Sequence, residues 1–422
     1  MNNNRYVLII RIIVFAFLIH LVGCSNSNTI EAKQKAAADG DVKAQLDLAT
    51  AYANGQGVKQ DDTKAFEWFK KAAEQRNERG AWNVALAYQM GKGTAKNDKQ
   101  AMYWFRKAAK LGNAEAEFRI GLAYATGQGA EQDDTLAVTW FQKAAEKGIA
   151  EAQYNLGLAY ANGKGIYQNS TQAVSWFYQA AEQGIADAQY NLGLAYKMGL
   201  GIAKDEAQAF LWFEKAANQG NAPAQFNLGL AYTLGQGVTK DTKQAITWFQ
   251  KAAEKGDAAA QYLMGVAYAN GEGVARDDTQ AVYWFLKAAE QSEAGAAFNL
   301  ALAYEKGRGT NQNLNQAVSW YLKAAKQGDA RAQNNLGLAY KTGQGITKDN
   351  MQAVTWFEKA AEQGYAIAQL NLALAYKNGQ GVNKDDMKAA YWFEKAAEQG
   401  IRYKSDNSDA KLNASTKNKN KK

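Results

Sequence analysis

In 422 residues there is one cysteine, one histidine and one proline. The only cysteine and the only histidine, Cys24 and His20, both fall within the first 24 residues. A lone cysteine makes no intrachain disulfide, so no covalent framework holds the fold. Residues 25–422 by themselves contain neither a Ser–His nor a Cys–His nucleophile pair, and no His/Cys zinc site. A carboxylate pair of the glycosidase kind is the enzymatic option left, and no acid departs from the regular pattern below as a catalytic one should. Long apolar runs are equally scarce: residues 6–22 form one, short for a membrane span and interrupted by Arg11.

What the chain has in abundance is repetition. Trp68, Trp104, Trp140, Trp176, Trp212, Trp248, Trp284, Trp320, Trp356 and Trp392 recur every 36 residues without a slip, and a tyrosine series runs in parallel from Tyr52 to Tyr376. Ten units therefore fill residues 41–400. In the unit beginning at 150, Ala152, Leu156, Ala159 and Tyr160 recur at helical spacing. A G-x-G then follows, here Gly163 and Gly165, and glycine suits the left-handed end of a helix. Because it follows a helix rather than a strand, it is not a phosphate-cradling loop. Seven residues before each Trp of the series stands an Asp or Asn, from Asp61 and Asn97 to Asp349 and Asp385. These are read as N-caps of a second helix, not as calcium ligands, since no D-x-D-x-D-G loop follows. That helix carries Ala173, Trp176, Phe177, Ala180 and Ala181 on one stripe, and Gly184 closes it. Pro223 falls in the first turn of a first helix, where it is tolerated.

Each unit is thus a helix–turn–helix hairpin unable to bury its apolar face alone, and stacking ten of them makes one continuous core. The pattern A-x-A-Q-Y-N-L-G-L-A-Y-x-x-G-x-G, followed by a capped A-[VI]-x-W-F-x-K-A-A-E-x-G, resembles the Sel-1-like repeat, a relative of the tetratricopeptide repeat (TPR). The resemblance covers about 360 of the 422 residues. It implies an all-α, right-handed superhelical solenoid of ten 36-residue repeats. Two turns between repeats depart from it, where Arg76 and Ser292 replace the closing Gly. Some Sel-1-like repeat proteins carry a disulfide in each repeat and have been linked with β-lactam binding or hydrolysis; this chain lacks those cysteines, and that activity is not transferred. No enzyme activity, cofactor or metal is expected.

The two ends differ from the repeats. Leu21-Val22-Gly23-Cys24 resembles the lipobox of bacterial lipoprotein signals, which implies that residues 1–23 are a removed signal peptide and that Cys24 is lipidated. Ser25 after the Cys implies release to the outer membrane's periplasmic face, where several acyl chains together hold more firmly than one. Residues 24–40 form the lipidated start and a capping half-helix. Residues 401–422 are polar and basic, with seven Lys/Arg against two Asp, and are expected to be disordered. Removing Arg5 and Arg11 with the leader takes the formal charge from +8 to +6, of which the tail carries +5. The repeats are near neutral, which argues against a nucleic-acid surface.

An Asn precedes the Leu in most first helices: Asn83, Asn155, Asn191, Asn227, Asn299, Asn335 and Asn371, with Asp47, Arg119 and Leu263 interrupting. Asn is a poor helix former, so its recurrence needs a cause. Aligned with the TPR by Leu-Gly-x-x-Tyr, these positions face the concave groove, where the resemblance implies a row of amides that bond a bound peptide's backbone. The other reading has each Asn bonding the adjacent turn. Before each Asn position stands an aromatic in most repeats, including Tyr154, Tyr190, Phe226 and Tyr262. These rings either pack between helices or line the groove. Together they imply a periplasmic scaffold that holds a protein or peptide partner and is anchored to the membrane through Cys24. Alternatives are a structural envelope component that supports exopolysaccharide export or contacts glycan, and an envelope hydrolase.

Overall fold

A computed structural model describes residues 30–401; the signal segment, the lipobox Cys24 and the tail from 402 lie outside the described residues. The described chain is all-helical, with 21 helices and no strand. A nine-residue helix, Ile30–Ala38, comes first. Ten hairpins follow, from Val42–Asn54 with Asp62–Glu74 to Ala366–Asn378 with Asp386–Glu398, every helix 13 residues long. Residues 30–168 and 169–401 belong to two compact units. Within each, a helix packs on the one before and the one after it in the chain, as expected of stacked repeats.

The capping pattern read from the sequence is present throughout. Asp61, Asn97, Asp133, Asn169, Asp205, Asp241, Asp277, Asn313, Asp349 and Asp385 each cap a second helix, accepting from a backbone N–H. The first glycine of each G-x-G takes the left-handed conformation that ends the first helix, as at Gly163 (φ 67°). The second glycine serves a different end. A Cβ at Gly165 would fall on the carbonyl of Asp134, and one at Gly345 on that of Leu314. The loop of one hairpin thus lies directly on the first turn of the preceding second helix. Gly57, in the first repeat, has nothing within 4 Å, because no full hairpin precedes it.

The core follows the expected stripes. Leu156, Ala152 and Ala159 are buried on a first helix, and Ala173, Phe177, Ala180 and Ala181 on a second. The Gly of Leu-Gly-x-x-Tyr brings the two helices together: a Cβ on Gly193 would lie 2.7 Å from the Phe213 ring. The turns at Arg76 and Ser292 keep the standard geometry. Both residues adopt positive φ (60° and 70°), and their N–H groups donate to Ala73 and Ala289 as Gly112 donates to Ala109. The departure therefore alters conformational strain and leaves the path of the chain unchanged.

Successive repeats are also joined by a polar pair that sequence reading passed over. In the second unit, Gln189 donates to the Ala181 carbonyl and accepts from Gln219, 30 residues on. Gln261 with Gln291, and Gln333 with Gln363, repeat the arrangement. Each buried first-helix amide is thus satisfied by the end of the preceding helix and by an exposed Gln at the end of the second helix that follows it.

Candidate peptide-binding face

The seven Asn positions are all half-buried, two in the first unit and five in the second. Three of the amides bond the preceding turn of their own helix. Asn83 donates to the Arg79 carbonyl at 2.8 Å and Asn155 to that of Glu151 at 2.7 Å, in both cases four residues back on the same helix. Asn227 does the same to Pro223 at 3.0 Å and accepts from Lys197 Nζ at 2.9 Å. This back-bonding satisfies the amide donor locally.

Toward the C-terminal repeats the amides bond one another. Asn371 donates to Asn334 at 2.8 Å, Asn334 to Asn335 at 3.2 Å, and Asn335 to the Tyr321 hydroxyl at 3.1 Å. Tyr321 in turn donates to Glu305. Burial, followed by the hydrogen bond to Glu305, pushes the Tyr321 phenol far above its ordinary range. The equivalent residue in neighbouring repeats is Phe285 or Phe357, and the aromatic position of the first helix is here Asn334. Two apolar residues have thus been exchanged for a closed polar chain.

The aromatic series packs within hairpins. Tyr190 lies against Phe213, Phe226 against Phe249 and Tyr262 against Phe285, with ring centroids 5.9, 5.8 and 6.2 Å apart and planes tilted by 42–48°. Trp82–Phe105 and Phe118–Phe141 repeat the pairing in the first unit. Tyr154 is half-buried. Packing between helices is therefore the role these rings share. At Phe298 and Tyr262 the second residue of the following first helix lies over the outer edge, and the two covers differ. The Arg331 guanidinium stands 4.2 Å from the Phe298 ring centroid, and a Cβ on Gly295 would lie 3.2 Å from the Tyr262 ring. Phe298, under Arg331, is 8% exposed, whereas Tyr262, under Gly295, is only half-buried.

Among the described residues no group of three or more His, Cys, Asp or Glu is placed to hold a metal, and no helix is long and apolar enough to cross a membrane.

The Sel1 repeat model matches ten consecutive segments, beginning with 42–77 and 79–113 and ending with 366–401. Among solved structures the chain is similar to c5321, a protective antigen of uropathogenic Escherichia coli displaying an SLR fold. The two are 38% identical with a TM-score of 0.82, over 88% of this chain and 80% of the other. It is also similar to a Sel1 repeat protein from Oxalobacter formigenes, at 30% identity and a TM-score of 0.58, over 73% of this chain and 89% of that one. No curated protein sequence matches the chain.

Proposed function

This chain belongs to the Sel1 repeat family, and from that premise we propose that it is a non-enzymatic scaffold that holds a protein or peptide on its first-helix face. The Sel1 repeat is a fold typically used for protein–protein interaction, and its members are generally non-catalytic. The observation that carries the reading is the recurrence of a half-buried Asn at one position of the first helix, with its donor satisfied by its own helix at Asn83, Asn155 and Asn227. An amide recurring at a fixed period suits the backbone of an extended chain, because it carries both donor and acceptor. The anchoring part of the reading rests on the sequence alone: Cys24 carries the lipid, and the scaffold works at the periplasmic face of the outer membrane.

Cross-linking in intact cells followed by capture of the protein tests the reading. Wild type is compared with a variant carrying Asn155→Ala, Asn191→Ala and Asn227→Ala, after both are shown to have equal helicity and melting. Selective loss of one envelope protein from the variant supports the scaffold. A wild-type capture containing no envelope protein above background overturns it. Labelling with a radioactive fatty acid, lost in Cys24→Ser, tests the anchor separately.

A further inference from the structure

The first-helix face of the second unit is not uniform. Its chemistry changes along the stack in a way that selects an occupant. The first helices Ala222–Leu234 and Ala258–Asn270 contain no charged residue. Those at Ala330–Thr342 and Ala366–Asn378 contain basic residues only: Arg331 and Lys341 in one, Lys377 in the other. The same stretch differs in how far the rings are covered.

Tyr262 meets Gly295 and Phe298 meets Arg331, in each case the residue 33 positions later. By repetition, Pro223 and Ala259 occupy the equivalent positions relative to Tyr190 and Phe226. Three successive rings thus lie beneath small residues, Pro223, Ala259 and Gly295, and all three stay half-buried. Arg331 closes the series by covering Phe298. In the middle of the uncovered stretch the Asn position is Leu263, which packs in the same cluster as Phe226 and Leu230. Loss of the Asn and loss of charge therefore coincide in the first helix Ala258–Asn270, and its Tyr262 ring lies beneath Gly295.

We propose that these repeats form an apolar window, over Tyr190, Phe226 and Tyr262, for the side chains of an extended peptide whose next residues are acidic and lie over Arg331, Lys341 and Lys377. The proposal rests on the scaffold reading above and specifies its occupant. Packed helices stand about 8–10 Å apart and an extended chain advances about 3.3 Å per residue, so each repeat accommodates about three residues. The window therefore takes an apolar side chain at every third position over roughly nine residues. The carboxylates that follow complement Lys341 and Lys377, together with Arg331, whose guanidinium also pairs with Asp329 at the helix N-cap. A sugar chain would stack on the same rings but gives the basic end no partner.

The test is fluorescence anisotropy with the full chain and four labelled 12-residue peptides. One has Leu at positions 2, 5 and 8 and Glu at 11 and 12; the second is its reversed sequence. In the third Ser replaces each Leu, and in the fourth Lys replaces each Glu. Unlabelled chitotetraose serves as competitor. One of the first two peptides is expected to bind, with at least tenfold loss for the Ser and Lys forms and no competition from the sugar. Two protein variants change the exposed Ala259. Ala259→Arg copies the cover that Arg331 already supplies over Phe298, so the fold has a precedent for it, and Ala259→Glu brings the opposite charge. Both are expected to weaken the peptide tenfold or more. The proposal is overturned if neither Leu peptide binds, if the Ser form binds equally, if chitotetraose competes, or if only one of the two variants has an effect. A partner captured from cells by wild type and by Ala259→Arg alike would leave the scaffold standing and remove this window.

Discussion

Lys147 Nζ stands 2.9 Å from Glu117 Oε2, at the junction where Gln75 meets Gln45 in the same unit and Gln219 meets Gln189 in the other. One repeat step has exchanged an amide pair for an ion pair at the same spacing of 30 residues. Glu117 is buried, and Lys147 is partly exposed, so solvent screens one partner and desolvates the other. Lys147→Ala is therefore expected to cost about 1–2 kcal/mol, less than a fully buried pair would lose. The double change Glu117→Gln with Lys147→Gln rebuilds the neighbouring arrangement and is expected to be near neutral. Urea unfolding of the two variants and wild type measures both; a double variant as unstable as the single one would contradict the equivalence of the pairs.

Ser292 holds a positive φ of 70° at a turn where Gly256 and Gly328 take 94° and 96°. A side chain in the left-handed region costs roughly 1–2 kcal/mol, offset in part by the lower unfolded-state entropy of a non-glycine residue. Ser292→Gly should raise stability by about 0.5–1 kcal/mol, seen as a higher melting midpoint. Arg76→Gly should do the same.

Gly193→Val places branched atoms where even a Cβ would come 2.7 Å from the Phe213 ring. Overpacking of this kind costs about 1–3 kcal/mol. Phe213→Leu in the same chain should recover part of the loss. Thermal melting that shows no recovery would mean that the clash is not with that ring.

Asn155→Ala removes a hydrogen bond within one helix, to the Glu151 carbonyl, and replaces a poor helix former with the best one. The two effects oppose each other, so stability should change by under about 0.5 kcal/mol. A larger loss, read by chemical unfolding, would show that the Asn is structural after all.

Desolvation, followed by the charge of Glu151, raises the Glu115 carboxyl above the usual glutamate range, against the opposing pull of Arg119. A folded-state value above the unfolded one means that the folded chain holds its proton to higher pH, so stability falls as pH rises through that interval. Glu115→Gln should thus stabilise at pH 7 and make no difference at pH 3. The side chain is exposed, which bounds the gain at under about 1 kcal/mol. Melting curves at the two pH values decide it.

Much of the fold was legible because it is written in backbone chemistry. An Asp or Asn cap, a left-handed Gly and an apolar stripe each constrain only a few adjacent residues, and 36-residue repetition states each constraint ten times. The first helices were less readable at their starts. Asp41 and Asn113 cap, but Ile149, Ile185 and Tyr365, whose side chains carry no acceptor suited to the role, make no such bond. The Asn series was visible as a recurring position of the first helix, while its bonding partner depended on a side-chain rotamer that no spacing encodes. The Gln45–Gln75 pair could have been found from two series offset by 30 residues. Differences in cover over Tyr190, Phe226 and Tyr262 became readable only once the 33-residue contact was known, because that contact joins helices from separate hairpins.

The second glycine of each loop gives the molecule a direction. The loop at Gly165 rests on Asp134 and the loop at Gly345 on Leu314, so in each case the surface that receives it belongs to an earlier part of the chain. A chain emerging with its N-terminus first, whether from a ribosome or through a membrane pore, meets every docking surface after that surface has already been delivered. Growth from the N-terminal end needs no waiting and leaves at most one hairpin's apolar face without its partner at any moment. Growth from the other end would set each loop down before its support exists, so a truncation that removes early repeats should be tolerated less well than one that removes late ones.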